Sequence, residues 1–173
     1  HSSIGSWYNS YVGEKFAGKY DPRVPQFIAG TISRAILAAA KTCQPARIGY
    51  AEFTTHQFVF NRLLKQMAHL PDSIGKTDSL LRVVKIEKKN GDKAAIITFA
   101  AHNTVFHERM MQISGDWSGL MMKRLIDAGK LDFASFSAGA VGSQGPFEFS
   151  KDQETEARYM ADGLSELILK NFD

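Results

Sequence analysis

Cysteine is almost absent from this chain: Cys43 stands alone among 173 residues. A lone cysteine excludes an internal disulfide and any multi-cysteine zinc cluster, while leaving an exported protein open. Charge of one sign is also scarce. Twenty-one Lys and Arg stand against 18 Asp and Glu, a net +3, and no basic run is longer than Lys88-Lys89. That distribution draws no nucleic-acid footprint. Long apolar runs are missing as well. The stretch Ala35-Ile36-Leu37-Ala38-Ala39-Ala40 is the longest, far too short for a transmembrane segment. What remains is 44% apolar and 23% charged residues, an ordinary globular mixture large enough to bury one core. No repeat, low-complexity tract or linker divides it, so residues 1–173 read as one domain. The chain opens on His1. On position alone that residue marks either a processed product or the remnant of a purification tag.

Helix and strand signals alternate along the chain. Val24, Phe27, Ile28, Ile32, Ala35, Ile36, Ala39 and Cys43 recur at three- and four-residue spacing, which predicts a buried helical stripe opened by Pro25 and closed before Pro45. Arg47–Phe53 reads as a strand, and 66–78 as a loop. The clearest local signal is the pair of β-rich runs Leu80–Glu87 and Ala94–Phe99, joined at Asn90-Gly91, a preferred hairpin turn. Asp116 can cap a helix running to Ala128 and ending at Gly129. A short strand at Asp132–Ser137 leads into a glycine-rich loop, Gly139–Pro146. A last amphipathic helix covers Asp152–Leu169. The alternation predicts an α/β class, a layered α/β/α domain whose mixed sheet contains an antiparallel hairpin.

Several residues could carry chemistry. His102 stands where the apolar run Phe99-Ala100-Ala101 ends, and strand ends in α/β sheets border ligand crevices. His107 and Asp116 follow within fifteen residues. Neutral imidazoles and a carboxylate are natural zinc ligands, yet the spacing equally fits a histidine bonded to a loop carbonyl, an exposed histidine and a helix cap. The 139–146 loop can aim backbone N–H groups at an oxyanion, or can be a plain turn. Ser143 in it would be a nucleophile only beside a base. Arg62 suits a carboxylate or phosphate, and equally a solvated face. Trp7, Tyr8 and Tyr11 either line a cleft or pack a loop.

Taken in order, these pieces resemble the N-terminal catalytic domain of the neutral/alkaline non-lysosomal ceramidase family. His1-Ser2, Tyr20-Asp21-Pro22-Arg23-Val24, Gln44-Pro45-Ala46-Arg47-Ile48-Gly49, Asn61-Arg62, Asp78, Gly91, Phe99-Ala100-Ala101-His102, Ser114-Gly115-Asp116 and Gly142-Ser143-Gln144-Gly145-Pro146 follow that family's motif order. The resemblance spans nearly the whole chain. It implies an internal piece of a longer secreted or periplasmic enzyme, whose partners are a small-molecule amide or lipid substrate and the rest of the parent polypeptide. It implies that His102 is a zinc ligand and that His1 is the second histidine of a His-x-His-Ser motif, lying beside the metal. The other ligands, a histidine upstream and a glutamate and tyrosine downstream, would fall outside these residues. Zinc binding by the chain alone is therefore expected to be weak or absent.

One departure bears on mechanism. The family's catalytic serine position is occupied here by Gly145, and its preceding aspartate position by Ser143. Zinc-assisted hydrolysis remains chemically feasible without the serine, because the metal lowers the pKa of bound water toward neutrality. Two functions are thus expected: a zinc-dependent hydrolase cleaving an amide bond in an N-acyl, sphingolipid-like substrate, or a non-catalytic lipid- or glycan-binding module that keeps the fold.

Overall fold

The computed structural model describes residues 10–63, 76–107 and 110–172. His1, Trp7, Tyr8 and the greater part of the expected 66–78 loop lie outside them. The chain divides into two compact units, His1–Pro45 and Ala46–Asp173.

The first unit holds two helices. Helix α1 (Tyr11–Ala17) starts at Ser10, whose Oγ accepts the Gly13 N–H at 2.9 Å, and stops at Gly18, which takes φ 85°. Helix α2 (Arg23–Lys41) forms where the three-and-four periodicity predicts it. Just ahead of it Asp21 accepts both the Arg23 amide and its guanidinium, and these bonds hold the Asp21 carboxyl down to about 2. The expected burial of the α2 stripe is not observed. No residue of α2 is buried, and Phe27, Ile32 and Ile36 are exposed. Periodicity places apolar residues on one side of a helix but does not supply a core, and α1 and α2 between them bury no residue.

The second unit is a layered α/β body. Strands β1 (Ala46–Thr54), β3 (Leu80–Lys88), β4 (Lys93–Phe99) and β5 (Phe133–Ala138) form a sheet in the order β1-β3-β4-β5. The first two pairings are antiparallel, with Ile48 opposite Ile86 and Val84 opposite Ile96. The last is parallel, with Ile97 beside Phe136. The sheet is therefore mixed and contains the expected hairpin. Its turn differs in detail: Lys88 and Asp92 still pair, Gly91 N–H donates to Lys88 O, and Gly91 alone has positive φ, 95°. That is a three-residue loop ending in a left-handed glycine rather than a two-residue turn. The Asn90 side chain bridges to Asp92, donating to its carboxylate at 2.8 Å and accepting its N–H at 3.2 Å.

Between β4 and β5 the chain crosses over through helix α3 (Asp116–Asp127), which ends at Gly129 with φ 70°. Helix α4 (Gln153–Lys170) is capped by Asp152, whose carboxylate accepts the Thr155 N–H. The buried sides of both helices join one sheet face in a single core, in which Trp117 packs edge-on against Phe99 and Phe136. The segment expected as a loop to Pro146 is shorter than that. Its last residues form β6 (Gln144–Pro146), antiparallel to β2 (Val59–Asn61). Burial explains the difference: Gln144 is enclosed, and its amide accepts Asp78 N–H at 2.7 Å and donates to Ala140 O at 3.3 Å.

Candidate functional site

Strands β4 and β5 run parallel, so their carboxyl ends open at the same edge of the sheet, where a crossover fold offers a crevice. The segments leaving them touch. Gly139 N–H donates to Phe99 O at 3.0 Å, and a Cβ on Gly139 would stand 3.3 Å from Ala100 Cα, closer than side chains normally come to backbone. Glycine at 139 is thus what lets the two exits lie side by side.

His102 lies three residues past the end of β4 and is half-buried. Its carbonyl accepts the Thr104 N–H at 2.9 Å and the Trp117 indole N–H at 3.3 Å. Burial, reinforced by the positive charge of Arg62 and opposed by Asp116, pushes its imidazole below the ordinary histidine value. That shift favours the neutral ring, the form that accepts a proton or binds a metal.

Arg62 arrives from eighty residues away in sequence and fastens the other exit. Its backbone N–H donates to Ser143 O at 2.9 Å, and its guanidinium Nε donates to Gly142 O at 3.0 Å, with Nη2 on the same oxygen. Arg62, for which an anion partner and a solvated face were both open in the sequence, instead holds a loop carbonyl, while its charge still reaches His102. Arg62 is thus bonded to the Gly142 and Ser143 carbonyls, and its charge acts on His102.

Within that segment Gly145 lies opposite Phe60, and a Cβ there would meet Phe60 Cε1 at 3.6 Å, an ordinary contact. Ser143 is half-buried and lends its carbonyl to Arg62. Some of the loop's amides are spent internally: Val141 N–H goes to Gly139 O and Gln144 N–H to Val141 O.

Asp116 is the feature sequence reasoning described least well. Only 6% exposed, it adopts φ 55°, a left-handed conformation that costs a non-glycine residue about 1–2 kcal/mol. Its Oδ1 accepts the Trp117 N–H at 2.7 Å and its Oδ2 the Phe106 N–H at 2.9 Å, so both oxygens serve backbone amides. Asn103 donates to Ser118 Oγ at 2.7 Å beside it. The cluster Ser114-Gly115-Asp116-Trp117-Ser118 contained the signal, a dense run of capping residues, but nothing in it pointed back to 102–106. His107 turns away toward α4: its N–H donates to the Gln153 side chain at 3.3 Å, and its charge acts on buried Glu156.

The ligand question can be put to these residues directly. Among the described residues no three His, Cys, Asp or Glu side chains converge as a metal-binding group. His102 offers one imidazole, and both Asp116 oxygens accept backbone amides. The described residues do not fit a zinc site by themselves.

A mixed sheet with a parallel crossover, a hairpin and helices closing one face defines this as a layered α/β domain. No family model matches the chain, and no curated protein matches it. Among solved structures it is similar to the neutral ceramidase from Pseudomonas aeruginosa, at 21% identity and TM-score 0.72 over 88% of this chain. It is similar also to a ceramidase complexed with C2, at 18% identity and TM-score 0.75 over 92% of this chain. The likeness establishes the fold. The chain spans 27% of the length of each of those proteins.

Proposed function

We propose that this chain is part of a ceramidase-like hydrolase that cleaves the amide bond of an N-acyl, sphingolipid-like substrate. The observation that carries this reading is His102: a half-buried imidazole just past the carboxyl end of β4, within the field of Arg62, which holds the Gly142 carbonyl, in a fold shared with neutral ceramidases. In the proposed site His102 holds or moves a proton, or binds zinc as the one ligand drawn from the described residues. Arg62 keeps the 142–143 turn ahead of β6 in place and supplies positive charge where an amide carbonyl becomes an oxyanion. The remaining metal ligands, export and the lipid substrate belong to the same proposal and rest on the motif resemblance. No helix among the described residues is long and apolar enough to cross a membrane.

A second reading has its own observation. Gly145 occupies the position matching the family's serine, so the fold would serve as a lipid- or glycan-binding module without catalysis.

One experiment separates them. The protein carrying this chain is assayed for fatty-acid release from a short-chain N-acyl sphingoid base, with added zinc, alongside His102→Ala and Gly145→Ser. The hydrolase reading expects release, a loss of about a hundredfold or more in His102→Ala, and unimpaired folding of Gly145→Ser, since a Cβ there meets Phe60 at ordinary distance. Substrate binding without turnover supports the module. Turnover unaffected by His102→Ala overturns the site.

A further inference from the structure

The segment that carries His102 has no helix or strand of its own, so its course must be set by what grips it. The first residues of α3 do this at three points. The Trp117 indole N–H donates to His102 O at 3.3 Å, Asn103 Nδ2 donates to Ser118 Oγ at 2.7 Å, and Asp116 Oδ2 accepts the Phe106 N–H at 2.9 Å. Ser118 Oγ in turn donates to Gly115 O at 3.1 Å, and Asp116 N–H donates to Ser114 Oγ at 3.0 Å. The grips sit at positions 102, 103 and 106, so the whole turn bearing the imidazole is pinned to consecutive residues of one rigid helix.

We propose that Asp116, with Trp117 and Ser118, is the positioning group for His102, and that its left-handed backbone is retained for this purpose; this rests on the reading of His102 as the reactive group of the site. A simple cap would satisfy amides of its own helix, as Asp152 does for α4 by accepting Thr155 N–H. Asp116 instead divides its two oxygens. One accepts the N–H of the next residue, and the other reaches ten residues back to the His102 segment. A single carboxylate that is buried and doubly engaged leaves no capacity for the segment to shift without breaking a bond. Asparagine can keep only one of those two bonds, because its amide nitrogen donates and cannot accept from an N–H. It still tolerates a left-handed backbone. Asp116→Asn therefore sets an NH2 group against one of the two N–H donors and loosens the doubly held grip without imposing new backbone strain.

The test compares Asp116→Asn with Asp152→Asn, a cap remote in sequence from the His102 segment. In each variant the rate of carbethoxylation of His102 by diethyl pyrocarbonate is measured by peptide mass analysis. His56, which is exposed, serves as internal standard. Loss of the grip should raise the His102-to-His56 ratio about threefold or more in Asp116→Asn through local opening, and leave it unchanged in Asp152→Asn, whatever the two melting temperatures do. In the hydrolysis assay Asp116→Asn should lower kcat with little change in KM. Ser118→Ala, a milder loss of the Asn103 bond, should raise the ratio in the same direction and carries the test where Asp116→Asn does not fold. An unchanged ratio in the folded variant, or an equal rise in Asp152→Asn, overturns the inference. The modification readout needs no turnover, so a protein without hydrolase activity would defeat the proposed function while leaving this inference to stand or fall by the ratio.

Discussion

Ile96 and Ile97 are adjacent in β4, chemically identical, and have opposite fates: Ile96 is 43% exposed and Ile97 0%. They stand for the two faces of the sheet. On the inner face Leu81, Val83, Ala95, Ile97 and Phe99 are closed over by Trp117, Met121 and Leu125 of α3 and by Met160, Leu164 and Ile168 of α4. On the outer face Ile48, Tyr50 and Phe133 remain exposed, and Arg82 is paired with Asp78 and Glu52. Burial, not composition, separates the faces. The site inherits its rigidity from the inner one, because β4, which leads to His102, has Ala95, Ile97 and Phe99 wholly enclosed.

The largest expected effect follows from deleting that enclosure. Ile97→Ala leaves a cavity among fully buried neighbours and should destabilise the second unit by about 2–5 kcal/mol, read as a fall in urea midpoint at unchanged m. A cost below about 1 kcal/mol would mean the inner face repacks freely, and the contrast would lose its basis.

A smaller effect is expected where the inner side is already full. In α4 a Cβ on Gly163 would lie 2.3 Å from Cζ of Phe58, a ring with 1% exposure that has nowhere to swing. Gly163→Ala should therefore cost about 1–3 kcal/mol, although alanine ordinarily favours a helix over glycine. Adding Phe58→Leu should recover part of the loss. If Gly163→Ala is stabilising, the Phe58 contact does not constrain the helix.

Much of this was legible in the residues, and the reasons for the remainder are specific. Local signals were sufficient for the elements: Gly91 and Gly129 ended structure where they appeared, and Asp152 began α4. The identity of the inner face was not legible, because Val83-Val84 and Ile96-Ile97 put apolar residues on both sides and alternation carries no sign. The burial of α2 was misjudged for a related reason, since a stripe describes a helix and not its partner. At the site, His102 could be found as a polar residue ending an apolar strand. Arg62 on Gly142, Gln144 on Asp78 and Asp116 on Phe106 could not, because each bond depends on tertiary approach of segments whose sequences carry no mark of one another.

Acid should sharpen the comparison further. Glu156 faces the enclosed side of α4, and burial raises its carboxyl above the ordinary value of 4.5, against the lowering effect of the Ser150 and Phe149 amides and of His107 and with the raising effect of Glu148. A raised folded value means the folded protein binds the proton more tightly than the unfolded chain. Stability from this group is then fully present below the unfolded value and is lost as pH rises through the folded one. The stability of the native chain relative to Glu156→Gln should accordingly increase as pH falls through that window, measured as paired urea midpoints. A difference that is flat or of opposite sign would show that the carboxylate is solvated rather than enclosed.

The smallest effect is also the most direct challenge to the contrast. Ile96→Ala removes the same atoms as Ile97→Ala, one residue away and in the same strand, so strand propensity and chain entropy change alike. Only the surroundings differ. With 43% of Ile96 exposed, a large share of the deleted surface was never withdrawn from water, and the cost should stay below about 1 kcal/mol. Measuring both variants in one denaturation series cancels errors common to the extrapolation, leaving the difference between faces as the observed quantity. Should Ile96→Ala prove as costly as Ile97→Ala, the outer face is covered in solution, and the sheet would have to be regarded as enclosed on both sides.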